Sequence, residues 1–127
     1  MMENHEKLKV FAGCLLIISA ITHIGQFFVF GFELHDIGAV IFGIAYGLLG
    51  FRLITISIKD ISLKWKKVMT FGGIILPIIG GSLGLNRLIN VEIKIMGVFN
   101  WFIVIHIIID CIVVPICIYS LLQLRKI

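Results

Sequence analysis

The chain has 127 residues and a net charge of +4; 60% of its residues are hydrophobic and only 14% are charged. A soluble domain carries about 45–50% apolar and about 25% charged residues, and a chain this short leaves too much of its surface exposed to hide such an excess. These figures exclude a soluble enzyme, a nucleic-acid-binding module and a disordered tail. They indicate an all-α integral membrane protein.

A bilayer core of about 30 Å needs about 20 apolar residues per helical crossing. Four runs meet that length, at about 8–32, 37–58, 68–89 and 95–122. They are continuously apolar rather than alternating, and backbone in lipid must satisfy its own hydrogen bonds, so the expected form is a four-helix bundle and not a β-barrel.

The first run follows Lys7 and Lys9. It is too long for a signal peptide and lacks a small-residue cleavage site, so it is expected to be retained. Thr22, His23 and Gln26 form a small polar group within it, the last two three residues apart and therefore on one face. Phe27, Phe28, Phe30 and Phe32 cluster at its end and offer a surface to lipid or a partner. The connection that follows holds Glu33, His35 and Asp36. A His between carboxylates is a weak metal candidate, because adjacent residues rarely complete a coordination sphere. The preferred reading is an acidic loop with Asp36 capping the second helix.

The second run carries Ala39, Gly43 and Gly47 at four-residue spacing, and the third carries Gly80 and Gly84. Small residues in this register let helix backbones approach closely in lipid. Arg52 lies near the end of the second run and can snorkel. Pro77 and Pro115 interrupt the third and fourth runs; each removes one backbone donor and is expected to kink its helix. Pro77 followed by Gly80 and Gly81 also allows a broken helix of the kind that lines transporter sites.

The fourth run contains Asn100, His106 and Asp110, the last two four residues apart on one face. His23 and His106 lie at similar depth, roughly 13 Å and roughly 16 Å from the same membrane face by helical rise. They meet if the first and fourth helices are neighbours. An intramembrane carboxylate needs a partner; His106 and Arg52 are the candidates for Asp110. Cys14, Cys111 and Cys117 all fall within the spans, which excludes a secreted-type disulfide framework.

Nine of the 11 Lys and Arg residues fall at the termini and in the second connection, against Arg87 and Lys94 on the other side. The positive-inside rule then places both termini in the cytoplasm of a multi-pass cell-membrane protein. Walker, nucleophile-elbow and zinc-helix motifs are missing, and no catalytic constellation stands in the isolated chain.

Three readings of the polar group at His23, Gln26, His106, Asp110 and Arg52 compete: interhelical structural glue, a proton or ion relay, and a b-type haem held by His23 and His106. The first carries most weight, so no cofactor is expected. The leading functional expectation is a non-catalytic accessory subunit of a larger membrane complex, for example an oxidoreductase of respiratory or monooxygenase type, with lipid and other membrane subunits as partners and no nucleic acid. The alternatives are a small homo-oligomeric transporter or channel with a His/Asp relay, and a haem-binding subunit.

Overall fold

In a computed structural model, which describes residues 1–30 and 34–127, the protein is all-helical, with 87% of it in helix. Four α-helices follow one another: α1 (Asn4–Phe30), α2 (Leu34–Ile58), α3 (Leu63–Arg87) and α4 (Trp101–Arg125). A π-helical stretch, Leu88–Ile93, extends α3. Each of the four spans, Asn4–Val29, Ile37–Ile58, Leu63–Ile93 and Trp101–Arg125, is long and apolar enough to cross a membrane.

Around the bundle α1 packs on α2 and α4, and α3 packs on α4. The remaining seam, α2 against α3, is much the loosest of the four. Ser120, near the end of α4, donates to the His5 carbonyl near the start of α1 at 3.2 Å, so both termini lie at one end. The end opposite is called the far end below.

Each helix turns a narrow stripe inward. In α1 the buried stripe runs through Glu6, Lys9, Gly13, Leu16, Ala20 and His23. In α4 it runs through Ile103, His106, Asp110, Val113, Cys117 and Ser120. Steps of three and four residues are the a/d register of helices crossing at shallow angles. The outward faces are Ile, Leu, Val and Phe, which suits lipid.

Several boundaries differ from the sequence reading. The first span starts at Asn4 instead of residue 8, because Glu6 and Lys9 are absorbed into the bundle. The third starts at Leu63 and ends at Ile93, gaining a turn at each end. The fourth starts at Trp101 instead of residue 95, because Gly97 takes a left-handed conformation (φ +66°) and Asn100 caps α4, accepting from the Phe102 amide at 3.1 Å. Asn100 is therefore a cap and not part of the intramembrane polar row. α2 begins at Leu34, so Asp36 stands inside its first turn rather than at the cap. Glu33 lies outside the described residues, as do the side chains of His35 and Asp36.

Both prolines sit within uninterrupted helices. The broken helix allowed by Pro77, Gly80 and Gly81 does not form: α3 runs through all three, since a proline removes only one rung of the ladder. The irregular backbone comes later, in the π-helical stretch.

Close backbone approach falls in part elsewhere than the small-residue spacing predicts. A Cβ on Gly13 would stand 2.6 Å from the Gly50 carbonyl, and one on Gly50 would stand 2.6 Å from the Gly13 carbonyl. This reciprocal contact locks α1 to α2. Gly43 supports it, with a Cβ falling 3.1 Å from the Ala20 carbonyl. Gly47 has ordinary room, its nearest neighbour being the Ala20 methyl at 3.5 Å.

Candidate functional site

The far half of the bundle gathers polar groups from three helices. α1 supplies His23 and Gln26, α2 supplies Tyr46, and α4 supplies His106 and Asp110; none is more than 4% exposed. The rings of His23 and His106 stack face to face, with centroids 4.2 Å apart and planes 20° from parallel. The depth match read from the sequence is thus realised, because α1 and α4 are neighbours. Tyr46 meets the His23 ring edge-on at 5.0 Å.

The tautomer of His23 follows from its partner. Its Nδ1 lies 2.7 Å from the Ser19 carbonyl oxygen. A carbonyl only accepts, so Nδ1 carries the proton, and in the neutral ring Nε2 is an acceptor.

Asp110 finds a partner, but not Arg52. The Tyr46 hydroxyl donates to Asp110 Oδ2 at 3.1 Å, while Oδ1 is buried without a donor among the described residues. Arg52 is exposed. It lies six residues beyond Tyr46, roughly 9 Å closer to the termini by helical rise, where its long stem reaches the interface. Tyr46 was the residue the sequence reading missed. Its place in the stripe Gly43–Tyr46–Gly50–Leu53 was the available signal, since a Tyr on the buried face of a membrane helix needs an acceptor.

The glycines of α3 serve this cluster. A Cβ at Gly80 would overlap the Tyr46 hydroxyl, one at Gly84 would overlap the His106 ring, and one at Gly81 would crowd Asp110 Oδ2 at 3.0 Å. The four-residue spacing of Gly80 and Gly84 predicts a seam for backbone approach. They are instead sockets, each accommodating one polar side chain from α2 or α4.

Above the imidazole pair lies a chamber of about 420 Å³. His23, Gln26 and His106 line its inner end, and Gly38, Phe42 and Leu83 line the α2–α3 side. That volume falls within the ~300–1,000 Å³ range of small-molecule sites. Arg87, on the wall, pairs through Nε with Glu92 Oε1 at 3.3 Å across the π-helical stretch. Toward the termini the interior closes. Leu16, Leu53, Val113 and Cys117 have no exposed surface and fill the core beneath the polar layer.

The stacked rings also bear on the haem reading. Imidazoles in direct face contact leave no gap for a macrocycle between them, so this arrangement does not hold a haem between His23 and His106.

A second buried charged group was not foreseen. Glu6 Oε2 pairs with Lys9 Nζ at 2.8 Å, Glu6 Oε1 lies 3.7 Å from Lys66 Nζ, and His5 bridges Glu3 and Glu6 at 3.1 and 3.3 Å. Lys9 has no exposed surface. Read only as flanking charge, it is in fact part of the inward stripe; the Glu6/Lys9 spacing of three was the legible sign.

The chain matches no protein-family model, no curated protein and no solved structure.

Proposed function

We propose that this protein is a multi-pass protein of the cell membrane with both termini cytoplasmic, working as a non-catalytic integral subunit of a larger membrane complex. Its own contribution is a dead-ended polar site in the far half of the bilayer. The observation that carries this reading is the closed floor of the chamber. A polar layer of His23, Tyr46, His106 and Asp110 rests on an apolar plug of Leu16, Leu53, Val113 and Cys117. In the inward stripe of α1 the polar residues on either side of Leu16, Ser19 and Lys9, are ten positions apart, roughly 15 Å by helical rise. One bundle therefore offers a place to hold something, without a polar route across. The orientation rests on the excess of Lys and Arg at the termini end.

Two experiments test it. Single cysteines placed at Glu3 and Glu33, in a background with the three native cysteines replaced, should label from opposite sides; equal labelling from outside overturns the topology. Mild-detergent extraction from the native membrane should recover the chain in fixed stoichiometry with other polypeptides. A stable homo-oligomer that drives proton-coupled flux when reconstituted alone, with flux reduced by Asp110→Asn, overturns the subunit reading in favour of a transporter whose path runs between copies.

A further inference from the structure

The far-end chamber has a side door as well as a floor. Its walls on α2 and α3 belong to the loosest seam of the bundle. Gly38 and Phe42 stand on one side, and Leu83, 54% exposed, stands on the other. A Cβ built on Gly38 would meet nothing within 4 Å. All three residues lie inside spans apolar enough to cross the membrane, Gly38 near the end of its span, so this loose seam borders the lipid of the far half of the bilayer.

What passes such a gap must leave lipid without shedding a hydration shell. Moving an unpaired charge through hydrocarbon is costly. Nor does the wall offer a net charge in return, since Arg87 is paired with Glu92. The walls are mainly apolar, while the inner end presents imidazole and amide groups from His23, His106 and Gln26. Such a site suits an apolar tail lying in the seam and a small uncharged polar head against the polar floor.

We propose that the chamber binds a neutral, single-tailed membrane amphiphile with a hydroxyl or carbonyl head, which enters sideways from the lipid between α2 and α3. The proposal stands whether or not the chain works within an assembly, because it concerns the isolated bundle.

The test uses the full chain in phosphatidylcholine nanodiscs and three probes with the same ten-carbon tail: 1-decanol, decanoate at pH 8 and decyltrimethylammonium. A ligand that binds only the folded state raises the unfolding midpoint in a saturable way. 1-Decanol should do so; the two charged probes should not. Gly38→Leu and Leu83→Trp plug the door from opposite sides and lie at positions with room for the added bulk. Each should weaken 1-decanol binding at least tenfold while leaving the ligand-free midpoint unchanged. No saturable shift with 1-decanol, or a shift retained in both plugged variants, overturns the site. Equal or tighter binding of decanoate or decyltrimethylammonium overturns the neutral head.

Discussion

The two ends of this bundle bury polar groups by opposite means. At the termini end the Glu6 carboxylate is set between two formal cations, Lys9 and Lys66. At the far end His23, Tyr46, His106 and Asp110 lie deeper and rely on a hydroxyl donor, a ring stack and glycine sockets. At the charged end each of the three has an opposite charge beside it. The far end leaves Asp110 Oδ1 without a donor among the described residues, and a chamber of about 420 Å³ above the rings. Buried polar groups in lipid that are not consumed in holding helices together are where function is to be sought.

The largest effect should come from neither end but from the α1–α2 contact that supports both. Gly13→Leu places side-chain atoms where the Gly50 carbonyl now stands, and must push the helices apart. A loss of more than about 3 kcal/mol is expected, read as failure to recover monodisperse protein after detergent extraction. Normal recovery would show that the two ends do not depend on this lock.

Breaking the charged end comes next. Glu6→Ala leaves Lys9 buried without its main partner, and removing one member of a buried pair costs about 3–5 kcal/mol; proximity to the interface should keep the loss near the lower figure. The double variant Glu6→Leu/Lys9→Met removes both charges and should recover most of the loss in thermal unfolding. If the double variant is as unstable as Glu6→Ala, the charges are not the organising feature there.

At the far end the expected loss is smaller. Tyr46→Phe removes the donor to Asp110 Oδ2 and should lower stability by about 1–3 kcal/mol. Asp110→Asn keeps an acceptor for the Tyr46 hydroxyl and removes the charge, so its midpoint should equal or exceed that of the wild type. A collapse of Asp110→Asn would mean that the carboxylate itself holds the far end together.

The smallest effect separates a socket from a plain helical glycine. Gly47→Ala meets only the Ala20 methyl at an ordinary distance and should be neutral or stabilising by about 0.5–1 kcal/mol through helix propensity. Gly84→Ala intrudes on the His106 ring and should be clearly destabilising. Similar midpoints for the two variants would remove the socket assignment.

The sequence by itself determined the class and the number of helices, because lipid imposes a length and a hydrophobicity that are properties of contiguous runs. It also brought His23 and His106 to one depth, since helical rise converts residue number into distance. The Asn100 cap and the Glu6/Lys9 pair were legible too, as local patterns of capping and of i,i+3 spacing, although the apolar runs on either side masked them. Only the tertiary structure decided which glycines carry backbone contact and which accommodate side chains. Gly43, Gly47, Gly80 and Gly84 look alike along the chain, yet their roles depend on what the facing helix places opposite. The Tyr46–Asp110 bond joins residues 64 positions apart, and it required the order of helices around the bundle. No local rule supplies that order, because packing in lipid is chosen by shape and polar pairing between segments whose outer faces are all equally apolar.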